Sequence, residues 1–139
     1  MRLVADTNIL ISALRATNSL PAFLIALWRA GRFDLLTARE QIDELRPVTR
    51  YPKVRDQLFQ ALAGRLVNDL RALAVTVDYL PVVDASPDPD NNYLLALATA
   101  GSADFLVTGD KRDLLGVSVY GGTKTVTVRD FPVLQGRLR

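Results

Sequence analysis

The sequence predicts an α/β fold, a parallel sheet covered by helices on both faces. Three observations carry this. Short apolar runs alternate with helix-length segments along the whole chain. The composition is globular, 49% hydrophobic and 23% charged. The 139 residues match one domain on a scale of roughly 150 residues per domain, so a single domain over 1–139 is expected. Area scaling buries about two-thirds of the unfolded surface at this size, enough for a core without cross-links.

The elements follow in order. Arg2 to Ala5 reads as a first buried strand, and Asp6-Thr7-Asn8 offers turn and cap chemistry. Ile9 to Arg15 forms a short helix. Ser19, with Pro21 just inside, opens a second helix of Phe23, Leu24, Leu27 and Trp28, closed by Gly31. Phe33 to Leu36 is the second strand. Thr37-Ala38-Arg39-Glu40 fits a capping box, which starts a third helix near Ala38. Pro47 interrupts it and Pro52 closes the region. Leu58, Ala61, Leu62, Leu66 and Leu70 recur near 3.6-residue spacing, predicting a fourth helix from about Val54 to Ala74. Val75 to Val77 is a third strand, and a long polar loop follows. Residues 91–100 form a fifth helix, Phe105 to Val107 a fourth strand and Thr125 to Val128 a fifth.

Composition narrows the chemistry. There is no cysteine, which excludes disulfides, thiol catalysis and thiolate metal sites. There is no histidine, which excludes serine–histidine triads and the usual zinc sites. The net charge of +2, from 17 basic and 15 acidic residues, neither argues for nucleic-acid binding nor opposes it. The residues from Arg129 onward carry three arginines and one aspartate, a basic tail or a solvated end. Asp6 falls where a signal peptide would need its apolar region, and no apolar run approaches the roughly 18 residues of a membrane helix. A cytoplasmic protein with no membrane partner is expected.

In parallel sheets, ligands bind beyond the carboxyl ends of the strands, where the strand order reverses. Here those ends carry acid. Asp6 ends the first strand, and Asp110 follows the fourth in Val107-Thr108-Gly109-Asp110. Asp88 and Asp90 precede the fifth helix, and Glu44 lies on the third. If the first and fourth strands flank the reversal, Asp6 and Asp110 converge, and converging carboxylates need a cation or a proton between them. Without histidine or cysteine, the oxygen donors favour Mg²⁺ or Mn²⁺. Such an ion activates water and offsets phosphate charge, as in phosphodiester hydrolysis.

Each acid also has an ordinary reading. Asp6 caps the helix after it, and Asp88 before Pro89 reads as a cap with proline at the first helical position. Glu40 is the capping-box partner. Glu44 taken alone is a solvated helix residue, and so is Asp43, which points about 100° away. Thr108-Gly109-Asp110 alone is a turn. The set is stronger than its parts, because two acids end apolar strands where solubility does not require them.

These residues resemble the PIN-domain family. The resemblance rests on the apolar strand with Asp6-Thr7-Asn8, then Ile42-Asp43-Glu44-Leu45 on a helix. An acidic loop follows, ahead of Leu94-Leu95-Ala96-Leu97-Ala98. Next come Ala103-Asp104-Phe105-Leu106-Val107-Thr108-Gly109-Asp110 with Leu114-Leu115, and finally Arg129-Asp130-Phe131. It covers nearly the whole chain and looks most like the bacterial and archaeal toxins of toxin–antitoxin systems, akin to VapC. The resemblance implies a three-layer α/β/α sandwich with a parallel five-stranded sheet in order 3-2-1-4-5. It implies a Mg²⁺- or Mn²⁺-dependent ribonuclease, usually dimeric, often inhibited by a cognate antitoxin. It places Asp6, Glu44 and Asp110 at the metal, Thr108 as the supporting hydroxyl and Asn8 as the polar support of Asp6. The implied reaction is attack of metal-activated water on a phosphodiester, leaving a 5′-phosphate and a 3′-hydroxyl.

One position departs from the pattern. Counting back from Ala96, the family's acid before the fifth helix falls on Asn91. Asp90 is then the expected replacement, Asp88 the second choice and Asn91 a neutral ligand; fewer anionic ligands weaken metal binding. For RNA phosphates, Arg15, Arg46, Arg50, Lys53, Lys111 and Arg112 are the candidate contacts, set against ordinary surface charge. Trp28 and Tyr93 offer rings for bases or for a dimer or antitoxin groove, with core packing the better role for Trp28.

Two other functions stay open. A PIN fold with a weakened site could act as an RNA- or protein-binding module, which Asn91 keeps in play. A phosphatase of the haloacid-dehalogenase kind also sets aspartates at strand ends, but its nucleophile motif needs an aspartate where Asn8 stands. A receiver domain lacks its acidic pair here, and no glycine-rich turn after the first strand supports a dinucleotide fold.

Overall fold

The computed structural model describes residues 1–47, 57–86, 89–109 and 119–132, and of residues 57, 58, 89–91 and 119 it describes the backbone alone. In chain order the elements are β1 (Arg2–Ala5), α1 (Thr7–Arg15), α2 (Leu20–Arg29), β2 (Asp34–Thr37), α3 (Arg39–Leu45) and α4 (Gln57–Leu73). Then follow β3 (Val75–Thr76), α5 (Pro89–Ala100), β4 (Phe105–Val107), β5 (Val119–Tyr120) and β6 (Thr123–Val126).

The strands form one sheet in order β3-β2-β1-β4-β6-β5. The neighbours from β3 through β6 all pair in parallel. Counted by themselves, these parallel strands run 3-2-1-4-5, the PIN-like order. The sixth strand, β5, was not expected. It pairs antiparallel with β6 through Tyr120 and Thr123. Gly121 and Gly122 between them have φ of 54° and 92°. A two-residue hairpin turn of this hand needs positive φ at both positions, which glycine adopts without strain. The hairpin also starts β6 two residues earlier than the apolar pattern indicated.

Successive strand residues face opposite sides, so each strand feeds two cores. Leu3, Ala5, Leu35 and Val107 pack with α1, α2, α3 and α4, through Leu10, Leu24, Trp28, Ile42 and Leu66 among others. Trp28 is therefore a core residue. Val4, Leu36 and Leu106 face the other way, onto Leu94, Leu95, Leu97 and Ala98 of α5. Leu94 to Ala98 are all buried, so α5 has no solvent face over that turn. Its outer side is covered by the β3–α5 connection, where Val77, Leu80 and Val83 pack against it. The three layers are thus helices, sheet and helix.

Helix ends follow local chemistry. Ser19 caps α2, its hydroxyl accepting from the Ala22 amide. The helix closes with Gly31 N–H bonded to Trp28 O at 2.9 Å and Arg32 N–H to Leu27 O at 3.0 Å, with Gly31 at φ 78°. That is the paired C-terminal motif that favours glycine just past the helix. α5 begins at Pro89, two residues before the expected start, with proline at the first helical position.

The expected capping box does not form. The cap of α3 is Ala38, which makes no side-chain cap bond. Thr37 still belongs to β2 and is buried; its hydroxyl donates to Gln41 Oε1 at 2.8 Å instead of capping toward Glu40. The strand runs one residue longer than expected, and its last side chain turns into the protein. The anticipated roles of Pro52 and of residues 54–56 lie outside the described residues.

Candidate active site

The strand order reverses between β1 and β4, and both end at the same edge of the sheet. Asp6 stands directly after β1. Its backbone N–H continues the ladder, bonding Val107 O at 2.9 Å. Its side chain is 7% exposed and does two jobs. Oδ1 accepts the Asn8 amide at 3.2 Å, capping α1. Oδ2 accepts the hydroxyl of fully buried Thr108 at 2.9 Å, across 102 residues of sequence. The ordinary reading of Asp6 as a helix cap and the reading as a site acid are therefore both met by one rotamer. Asn8 touches Asp6 through its backbone; its side chain belongs to an exposed residue.

Glu44 reaches the same edge from α3. Gln41, buried at the start of that helix, donates its amide to Ala5 O at 2.7 Å and accepts from Thr37. The helix is thereby pinned to the last residue of β1, and Glu44, three positions on, lies on the face of Gln41. Asp43 diverges: it lines a cleft with Arg39, Arg46 and Arg71. Gln41 gave no sequence signal beyond its spacing of four from Thr37. Replacing Gln41 with Leu should destabilise the protein by about 1–3 kcal/mol, because the Ala5 carbonyl and the Thr37 hydroxyl lose their partner in the core. Urea unfolding measures this, and an unchanged midpoint would mean that the pin contributes nothing.

Tyr93 of α5 joins these elements. Its hydroxyl lies 2.9 Å from Thr7 Oγ1 and is hydrogen-bonded to Glu44. A carboxylate only accepts, so the phenol donates to Glu44 and receives the Thr7 hydroxyl proton. Burial pushes the phenol's pKa well above its ordinary value. The Thr7 bond opposes this, while the Glu44 bond and the charges of Glu44 and Asp6 add to it. Tyr93 therefore stays a neutral donor. Its neighbour Asn92 turns to the preceding loop, accepting from the Ala85 and Ser86 amides at 3.1 and 2.8 Å and donating to Ser86 O at 3.1 Å. This clasp sets where the acidic loop enters α5.

Of the other expected residues, Asp90 and Asn91 lie in the first turn of α5, with side chains outside the described residues. Asp88 and Asp110 also lie outside them, as do Arg50, Lys53, Lys111 and Arg112. Arg15 closes α1, about 12 Å along the axis from Thr7, so the helix carries it away from Asp6. Arg46 faces the Asp43 cleft. A second cleft, of about 570 Å³, opens beside Thr108 and Gly109, walled by Leu20, Pro21 and the segment from Thr127 to Asp130. Among the described residues no group of three or more acids is placed to hold a metal ion. The described donors at the site are oxygens only, with Asp6 and Glu44 as its carboxylates.

The PIN-domain family model matches residues 2–112. The chain belongs to the PIN-domain family. PIN domains generally use divalent metal ions, and those of the VapC kind are nucleases in general. In structure this PIN domain is similar to a chain of the crystal structure of VapBC2 from Rickettsia felis bound to a DNA fragment from their promoter. The TM-score is 0.61 at 12% sequence identity, over 91% of this chain and 98% of that one. At that identity the likeness is one of fold. No curated protein matches this PIN domain in sequence. Among the described residues no single helix is long and apolar enough to cross a membrane.

Proposed function

We propose that this PIN domain is a Mg²⁺- or Mn²⁺-dependent endoribonuclease, the toxin of a type II toxin–antitoxin pair. The observation that carries the reading is the pair Asp6–Thr108, which locks a buried carboxylate across the strand reversal while Tyr93 brings Glu44 to the same edge. An all-oxygen donor set suits a hard divalent ion. Asp6 and Glu44 would hold it, with Asp110 and Asp90 as the further acids that the sequence supplies. When bound, such an ion lowers the pKa of water and neutralises phosphate charge.

The chain's own residues supply the framework. Thr108 and the Asn8 amide hold the Asp6 carboxylate in one orientation. Gln41 fixes α3, and with it Glu44, against β1. The cleft beside Thr108 has room for a nucleotide next to the acids, and Arg129 on its wall is a cation for phosphate. The partners in this reading are an RNA substrate, a cognate antitoxin and a second copy of the chain, in the cytoplasm. The antitoxin is supported by the fold shared with a VapBC2 structure.

The test is cleavage of labelled single-stranded and hairpin RNAs by antitoxin-free protein with Mg²⁺, with Mn²⁺ and with EDTA. Cleavage in either metal and none in EDTA is expected. Intact RNA across a broad panel, with folded protein and metal, would overturn the reading. Asn91 favours a second one, a PIN fold that binds RNA or protein with a weakened site. Asn91→Asp adds one anionic ligand candidate and should raise cleavage at limiting metal by roughly tenfold. If the wild type binds RNA without cutting it and Asn91→Asp cuts, the second reading holds.

A further inference from the structure

α5 carries the position where the family pattern has an acid and this chain has Asn91. Among the described side chains of that first turn and a half, Asn92 is committed to the Ala85–Ser86 loop, and Tyr93 faces Thr7. Tyr93 is therefore the described α5 side chain that reaches the acids. Its hydroxyl sits between α1 and α3, bonded to Thr7 at 2.9 Å, next to the Asp6 cap, and to Glu44. Glu44 belongs to an exposed residue, with a long side chain that many rotamers would take into solvent. Two carboxylates facing one another repel, so without a neutral donor Glu44 would turn away from Asp6.

We infer that Tyr93 is a positioning residue of the acid site, its phenol hydroxyl, backed by Thr7, holding the Glu44 carboxylate toward Asp6 so that a divalent cation finds both acids in place. The inference rests on the proposed function and deepens it: an α5 phenol supplies orientation where the helix is short of a charge. A donor that orients a metal-binding carboxylate typically changes metal affinity by about ten- to a hundredfold.

The experiment is a Mn²⁺ binding isotherm by titration calorimetry on wild type, Tyr93→Phe, Thr7→Val and Asp6→Asn, beside RNA cleavage across a Mn²⁺ series. Tyr93→Phe should bind Mn²⁺ at least about tenfold more weakly. Its cleavage should need correspondingly more Mn²⁺ and recover toward the wild-type kcat at saturation. Thr7→Val, which leaves the phenol but removes its support, should shift the isotherm in the same direction by less. Unfolding in EDTA separates a packing loss: a variant with wild-type stability and a shifted isotherm supports positioning. A Tyr93→Phe isotherm equal to wild type, while Asp6→Asn abolishes binding, overturns the Tyr93 role and leaves the site intact. So does a kcat that stays low at saturating Mn²⁺ with unshifted affinity. A wild type that binds no Mn²⁺ overturns the metal-site reading itself.

Discussion

Asp6→Asn should lose RNA cleavage by at least about a hundredfold and lose Mn²⁺ binding with it, while the protein stays folded. The substitution keeps the size and shape of the side chain. Asparagine caps helices about as well as aspartate, so the bond from the Asn8 amide survives and α1 keeps its start. Thr108 also keeps a partner, because its hydroxyl can rotate to accept from an amide as readily as it donates to a carboxylate. What disappears is one full negative charge at the edge where β1 and β4 end. A divalent cation held by oxygen ligands depends on that charge directly, through both affinity and placement. The loss should therefore appear in kcat/KM and in the binding isotherm together, with little change in the urea midpoint. Asp6→Asn that cleaves at the wild-type rate would remove the acid from the site. The same loss is expected for Asp110→Asn, the acid that the sequence places after β4.

Phe131→Ala should destabilise the fold by about 3–5 kcal/mol, a third or more of the stability of an ordinary domain. Phe131 is 0% exposed. It meets Phe33 edge-on at 5.8 Å between ring centroids and Phe105 at 5.4 Å, so three aromatic side chains from distant parts of the sequence close one corner of the core. Truncation removes a whole ring and leaves a cavity that neither neighbour can fill without leaving its rotamer. Phe131→Leu retains most of the volume and should cost about 1.5 kcal/mol or less. Denaturant unfolding of the two variants measures both values. A midpoint for Phe131→Ala within error of wild type would show that the corner is not packed in solution. The effect reaches the candidate site as well. Arg129 and Asp130, just before Phe131, form one wall of the cleft beside Thr108, and that wall is held by this ring.

The legibility of the chain follows from the range of the interactions that decide each part. β1 and β4 read correctly because a run such as Leu3-Val4-Ala5 or Phe105-Leu106-Val107 has to be buried on both faces wherever it goes. The caps at Asp6 and Ser19 and the close at Gly31 read correctly because their partners lie within a few residues. The capping box at Thr37 misled because the same local motif competes with a strand. The hydroxyl found a stronger demand one residue further on, at buried Gln41. The β5–β6 hairpin left a signal, Gly121-Gly122 between Tyr120 and Thr123, but two-residue strands carry too little pattern to stand out. At the candidate site, Asp6 and Thr108 were legible from strand ends and motif order. Tyr93 and Gln41 were not, because nothing in their neighbours distinguishes a polar group that reaches across the fold from one that is packed or solvated.

The sequence by itself determined the layer plan, the edge of the sheet where acids gather and the restriction to oxygen donors. Those depend on hydrophobic periodicity and on which side chains exist. Only the tertiary structure decided which polar groups meet. The Thr108 hydroxyl reaches Asp6 across 102 residues, and Tyr93 reaches Thr7 across 86. Such contacts have no local cause. They exist because the parallel crossovers return β4 beside β1 and lay α5 behind them, so that a polar group removed from water takes its partner from whatever the fold has brought within hydrogen-bond distance.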